Sequence, residues 1–517
     1  MKVKLFVVAT LILLQASAVA SAQQLDASQR SYKEARRVLD DAIAAHGGVE
    51  ALRAVKDFTL KEKGQVYARY QSPAAEGPIA VGTSEETLIV DTERGFVYDD
   101  LKTANGGFNN WNKTVIKGTD GQNYDMWSRT ATPIANASAN NFRPQMRRLP
   151  VYVLLEALDR AATLRFLGEE EIGGRKQKVI SVIRPDNQQL ALSFDAQTKL
   201  LTKYGYLYAD PMTGDSEIAQ TYSNYRTVGK LKLPGARVLY NSGGVIQEAE
   251  YVDVQINTKP AENVFQGPEN FEKLDAPPAT PPPPAVAKIA EDVYMLNGLA
   301  GGTHNIMFVA FNDHILVIEA PEQILYAANS TQAIAKIKET VPGKPIKYLV
   351  LTHHHSDHAG GFREYAAEGA TIVTTAGNKS FLEKTAAVQS SLLPKISLQD
   401  KLKIETVGNK KRVFQDDKHV VELYDIGPNP HANEMLVAYL PNEKILFQAD
   451  MLNPAANGSI PIAQDVTMSF AEKLQQMGLQ IEKIYGVHGR PATPEELRTS
   501  VERRRASELK SEISGPK

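Results

Sequence analysis

The sequence predicts a chain of two domains. A mainly antiparallel β-sheet domain with a few helices comes first, of the α+β class. An α/β domain follows, in which strands alternate with helices. Three observations carry this. At 517 residues the chain exceeds what one ordinary hydrophobic core supports. A proline-rich run from Ala276 to Ala285 separates two strand-rich stretches and should form a semi-rigid polyproline II spacer, a stronger expectation than a ligand for a partner domain. Before that run apolar residues mostly alternate, and after it strand-like and helix-like periods take turns. The expected division is a leader over 1–22, a β-rich domain over 25–270, a linker over 271–285, an α/β domain over 286–500 and a charged tail over 501–517.

The first residues read as a secretory leader. Lys2 and Lys4 precede an apolar run from Leu5 to Leu14, and Ala20-Ser21-Ala22 gives an A-x-A cleavage pattern before Gln23. The apolar run is shorter than the roughly 20 residues that span a bilayer, so no stable membrane span is expected. The chain is accordingly expected in the periplasm or outside the cell. It has no cysteine, which excludes disulfides, thiolate metal ligands and cysteine nucleophiles. With 58 Lys+Arg against 60 Asp+Glu, the net charge of -2 offers no field for nucleic acid, and a small-molecule substrate is expected instead.

The β-rich domain opens on a helix, Tyr32 to His46, whose apolar face is Ala35, Val38, Leu39, Ala42 and Ile43. Gly47-Gly48 should end it. Strands are expected over Lys178–Ile183, Leu190–Phe194, Arg237–Tyr240 and Val245–Tyr251, the last two joined by a hairpin turn at Ser242-Gly243-Gly244. The one histidine of this half, His46, is read as a helix-end residue and not a ligand.

In the second domain strands are expected over Ile315–Ile318, Ile346–Leu351, Val420–Ile426, Met435–Leu440, Lys444–Gln448 and Ile481–Val487. Helices are expected over Ala327–Glu339, Phe362–Ala367 and Ser380–Leu393, the last a candidate lid. Met451 to Phe470 is expected to be a loop.

The chemistry concentrates in His353-His354-His355-Ser356-Asp357-His358. Residues two apart in an extended segment face the same side, so His353 and His355 can grip one ion. Gly360-Gly361 then turns the chain, aiming Asp357 and His358 at a second nearby point. No hydrophobic core needs such a cluster, and imidazole and carboxylate are ordinary ligands of first-row divalent metals. Further candidates follow other strands: His431 after Val420–Ile426, Asp450 after Lys444–Gln448 and His488 after Ile481–Val487. Open α/β sheets place their sites past the carboxyl ends of strands. His354 points the opposite way and should support a ligand; His304 either lines the pocket or is plain loop; His314 and His419 are expected in solvent.

His353-x-His355-x-Asp357-His358, then His431, Asp450 and His488 in order, resembles the ligand set of the metallo-β-lactamase-fold hydrolases. The resemblance implies an αββα sandwich with a binuclear centre. His353, His355 and His431 would hold one ion, Asp357, His358 and His488 the other, and Asp450 would bridge them. The ions are expected to be divalent, zinc first, with iron or manganese as alternatives. A metal-bridging hydroxide would attack an ester, lactone or thioester carbonyl, with Asp357 as the catalytic residue that orients the nucleophile. True β-lactamases of this fold carry a cysteine, or no bridging carboxylate, where Asp450 stands, so β-lactam hydrolysis is the alternative. Redox di-iron relatives carry glutamate where His355 stands. In the first domain, Ala44 to Leu52 is similar to the opening of periplasmic lipoprotein-carrier-type half-barrels, and Tyr225 to Pro234, followed by a long hairpin, to their ends. That likeness implies a curved sheet, and with it a third reading: an apolar-ligand carrier beside a degenerate hydrolase domain.

Overall fold

The computed structural model describes residues 26–105, 107–322, 329–392, 395–396, 398, 401–408, 410–455 and 458–514. The expected leader, and the ends of two expected helices at Ala327 and Leu393, lie outside the described residues. Among the described residues, no helix is long and apolar enough to cross a membrane.

The chain gathers into two compact units. The smaller takes residues up to 54, 149–206 and 230–233. Its first helix spans Ala27–Ala45 and begins earlier than Tyr32 because Asp26 caps it. The Asp26 carboxylate accepts from the Gln29 amide at 2.7 Å, and the Gln29 side chain accepts from the Asp26 amide at 3.1 Å. The expected apolar face is the buried one. Gly47 ends the helix at φ +118°, where a Cβ would lie 2.3 Å from the Lys230 carbonyl oxygen. His46 is a helix-end residue, its Nδ1 2.8 Å from the Ala42 carbonyl. Strands Arg165–Ile172, Arg175–Ile183, Gln189–Asp195 and Leu201–Asp210 follow as an antiparallel meander.

The larger unit holds residues 55–148, 207–229 and 234–517. Its N-terminal part is an antiparallel sheet. From the short edge strand Glu272–Lys273, which pairs in parallel with its neighbour, the order is Thr130–Pro133, Asp120–Asp125, Phe108–Lys117, Phe96–Asn105, Val81–Asp91, Asp57–Tyr67, Gly244–Ile256, Ala236–Asn241 and Gly214–Ser223. The expected hairpin is present: Ser242 and Gly243, at φ +49° and +74°, form the two-residue turn that places Asn241 opposite Gly244. Arg237 is buried in this sheet, its guanidinium forked onto Glu62 at 3.0 and 2.5 Å.

The C-terminal part carries two sheets. In the first, β1 (Ala285–Ala290), β2 (Val293–Gly298), β3 (His304–Ala310), β4 (Ile315–Ile318), β5 (Ile346–Val350), β6 (Thr371–Thr374) and β7 (Lys403–Thr406) lie in sequence order, antiparallel up to β4 and parallel beyond. In the second, β8 (Lys411–Gln415), β9 (Val420–Asp425), β10 (Leu436–Leu440) and β11 (Ile445–Gln448) are antiparallel, and β12 (Lys483–Gly486) pairs parallel with β11. Period-2 alternation decides which side chains face where. Met307, Val309, Leu316 and Ile318 meet Val421, Leu423, Leu436 and Phe447 between the sheets. Ile306, Phe308, Ile315 and Val317 turn outward onto helices α1 (Asn329–Thr340) and α2 (Phe362–Ala367). On the far side Val437, Tyr439 and Leu446 pack against α4 (Asp465–Met477) and α5 (Pro494–Ser514), while α3 (Ala376–Ala386) joins the first helical layer through Leu382. Two sheets face to face with helices outside make the αββα sandwich. Strands buried on both faces read as continuous apolar runs.

Three sequence expectations need correction. The helix expected over Ser380–Leu393 runs instead over Ala376–Ala386, because Asp215 captures Ser390 Oγ and Ser391 Oγ at 2.6 Å and the Ser391 amide at 2.9 Å. The loop expected to reach Phe470 gives way to α4 at Asp465, after Gln464 is pinned by both backbone polar groups of Asn109 at 3.2 Å. His419 is not solvated but buried, with Asp292 at 3.6 Å, and His314 is half-buried, stacked on Phe311 at 4.9 Å. The charged segment after residue 500 continues α5 as helix through Ser514.

Candidate metal centre

The site lies beyond the carboxyl ends of β4, β5, β9, β11 and β12. Strand β5 delivers Thr352 and His353. The chain then turns through a single helical turn, Ser356–Ala359, closed by His358 and Ala359 amides donating to the His355 carbonyl at 3.0 and 2.8 Å. That turn swings Asp357 and His358 to a second position, as the paired glycines suggest. Gly361 lets the next helix approach closely, since a Cβ there would sit 1.7 Å from Ser330 Oγ.

His431 is set by an Asx turn in which Asn429 Oδ1 accepts from the His431 and Ala432 amides at 2.8 and 3.0 Å. Asp450 adopts φ +62°, a conformation rare outside glycine. Gln448 holds it there: its Oε1 accepts from Met451 at 2.9 Å and its Nε2 donates to Leu452 at 2.8 Å. Such strain persists only where the surroundings over-determine it.

The expected residues fall into overlapping groups. His353, His355, His431 and Asp450 could hold one ion, His358, Asp450 and His488 another, and His304, Asp357 and His488 form a third group. Asp450 lies centrally: its Oδ2 is 3.2 Å from His353 Nε2, 3.2 Å from His431 Nε2 and 2.8 Å from His358 Nε2, and its Oδ1 is 3.1 Å from His488 Nε2. Asp357 Oδ2 is 3.6 Å from His304 Nε2, 3.6 Å from His358 Nε2 and 3.9 Å from His488 Nε2. His304 therefore lines the site. His354 stands outside these groups, its ring edge-on to Phe381 at 5.9 Å.

The donor set fits divalent metal. His353 Nε2, His355 Nδ1, His358 Nε2, both ring nitrogens of His431 and Asp450 Oδ2 are buried without a well-formed hydrogen bond. Buried polar atoms are costly without a partner, and a cation would supply one to each of these residues through the atom that faces the centre. Burial, reinforced by neighbouring imidazoles, holds His353 down at about 3 and His355 well below its ordinary value, so both are neutral donors. Burial opposes ionisation of Asp450 and Asp357, but the charge of His358 keeps both carboxyls well below the usual range. Burial also opposes charge on His358, and the carboxylates of Asp450, Asp357 and Glu319 raise it nonetheless.

Sequence reasoning missed the groups behind the ligands. Glu319, fully buried at φ +79°, accepts from His358 Nδ1 at 2.7 Å and from the Thr352 amide at 2.7 Å. Thr352 Oγ1 lies 3.0 Å from His353 Nδ1, and the Thr303 carbonyl accepts from His488 Nδ1 at 3.1 Å. These contacts aim the opposite ring nitrogens of three histidines at the centre. An acid placed directly after the apolar run Ile315–Ile318 was the available signal for Glu319.

Residues 326–488 match the family model of the metallo-beta-lactamase superfamily. Among solved structures, this chain is similar to a metallo-beta-lactamase from Pontibacter korlensis, with 18% identity over 43% of this chain and 99% of that one at a TM-score of 0.33. A metallo-beta-lactamase from Hirschia baltica gives 18%, 43%, 98% and 0.33. The FIM-1 enzyme from Pseudomonas aeruginosa, in its mono-zinc form, gives 16%, 44%, 98% and 0.32.

Proposed function

We propose, from the premise that residues 326–488 are a metallo-β-lactamase-superfamily domain and that the domain is a metal-dependent hydrolase, that the centre is binuclear and cleaves an ester, lactone or thioester. One observation carries the binuclear part: Asp450 belongs to two ligand groups at once, its Oδ2 within 3.2 Å of His353, His431 and His358 and its Oδ1 3.1 Å from His488. A carboxylate shared by both groups could serve two cations at once. Divalent ions, zinc by preference for this nitrogen and oxygen donor set, would supply an acidified water and a Lewis acid for the electrophile.

The chain's own residues do the rest. His353, His355 and His431 would hold one ion, and His358, His488 and Asp357 the other. Asp357 would also orient the attacking water and pass its proton toward the leaving group. Asp450 separates this reading from β-lactam hydrolysis, given the cysteine or missing bridge of that branch. The complete set of seven donors separates it from a degenerate domain beside an apolar-ligand carrier. The division at the proline-rich linker and export of the chain through its leader belong to the same proposal.

The test is a panel of lactones, thioesters, sulfate esters and β-lactams on full-length, metal-analysed protein. Turnover of an ester-type substrate should vanish on chelation and return with zinc. Turnover that survives removal of the metal would overturn the proposal, and selective turnover of the β-lactam would replace it with the alternative.

A further inference from the structure

Two pieces of the N-terminal antiparallel sheet, one loop and one strand start, end on the metal centre. The first joins Asp57–Tyr67 to Val81–Asp91. Its base is closed by the Ala68 amide donating to the Ala80 carbonyl at 2.9 Å. Ser72 ties it across, its Oγ donating to the Ala68 carbonyl at 2.7 Å and accepting from the Ala80 amide at 3.0 Å. The tip is therefore preformed. From it Gln71 Nε2 donates to Asp357 Oδ1 at 2.7 Å, the Ser72 carbonyl accepts from His355 Nε2 at 3.0 Å, and the Pro73 carbonyl accepts from the Asn433 amide at 2.7 Å. At the start of the strand Phe108–Lys117, Phe108 sets its ring edge-on to His431 at 5.3 Å.

These contacts have definite chemical consequences. A hydrogen on His355 Nε2, given to Ser72, leaves Nδ1 as the lone pair that faces the centre. An amide donor on one oxygen of Asp357 fixes the carboxylate without neutralising it.

We infer that the N-terminal region completes the metal centre and that Gln71 is the positioning residue for Asp357: by holding Oδ1 it presents Oδ2, the oxygen nearest His304, His358 and His488, to the second ion. The inference rests on the two-ion reading above. It places a determinant of the centre 286 residues away from the aspartate it sets. It also makes the loop over 68–80 a wall of the substrate site.

The experiment is cobalt(II) titration of the full-length apoprotein, followed by its visible absorption bands. Gln71→Met keeps the volume and removes the amide; Gln71→Ala removes both. The wild-type chain should take up two equivalents. In both variants the first equivalent should bind with unchanged affinity and the second at least about tenfold more weakly, with altered bands, as for other partners behind metal ligands. Gln71→Met binding both equivalents as the wild type does would overturn the inference. So would equal weakening of both equivalents together with a lowered melting temperature, the mark of a merely structural role. A wild-type chain that takes up fewer than two equivalents would overturn the two-ion reading first, and this inference with it.

Discussion

Glu319→Gln is the most informative single change behind the ligands. Glu319 uses both oxygens, one on His358 Nδ1 and one on the Thr352 amide, each at 2.7 Å, and is sealed from water. Glutamine keeps the shape but offers one acceptor and one NH2 group. Whichever way the amide turns, one of the two buried donors meets another donor. If the His358 side loses, the ring must move its hydrogen to Nε2, the atom that lies 2.8 Å from Asp450 Oδ2, and His358 is no longer a ligand. A hydrogen bond to a charged group contributes about 1.5–3 kcal/mol, which corresponds to about a tenfold to hundredfold loss of metal affinity, the range known for such partners. Competition with a chromogenic chelator reads the loss directly, one ion at a time. The weakening should fall on the ion held by His358 and spare the one held by His353, His355 and His431. Unchanged affinity for both ions would refute the reasoning, because it would mean that Glu319 does not set the His358 ring.

Two further predictions concern the fold. Burial holds His46 at about 4 against an unfolded value of 6.5, so the unfolded chain takes up a proton that the folded one refuses. Stability should be flat above pH 6.5 and fall as pH drops toward 4, by about 2 kcal/mol at pH 5; hydrogen exchange of the Ala27–Ala45 helix should show this, and His46→Gln should flatten it. Arg237 is buried against Glu62, with Arg148 3.2 Å from the same carboxylate. Arg237→Ala should cost about 3–5 kcal/mol in urea denaturation, most of it recovered when Glu62 is changed to Leu as well; a loss under 1 kcal/mol would contradict the assigned role of the pair.

The parts of the site legible in sequence are the local ones. His353 to His358 share one loop, and His431, Asp450 and His488 each follow a strand whose apolar pattern is plain, so their convergence could be read from strand ends alone. Gln448 and Gln71 could not be read that way, and for Glu319 the strand end marked the position but not the partner. Each is a common residue type whose role depends on a contact set by the fold: Glu319 on a histidine across a neighbouring strand, Gln448 on a left-handed turn, Gln71 on another sheet. The same limit explains His419. Its turn-like sequence context suggested solvent, but Phe311 and Asp292, far away in sequence, enclose it. The helices were legible in existence more than in extent, because Asp215 and Asn109 decide where α3 stops and α4 starts. The αββα layering was legible only through the resemblance; its physical basis, strands apolar on both faces, is what the two sheets and their helices display.

The central claim is a two-ion centre built on Asp450, and the direct measurement is metal content by mass spectrometry of the full-length protein and of its Asp450→Ala variant. Two divalent ions per wild-type chain are predicted, with the variant holding at most one. A wild-type chain with no bound metal, or a variant that keeps both ions, would contradict the account.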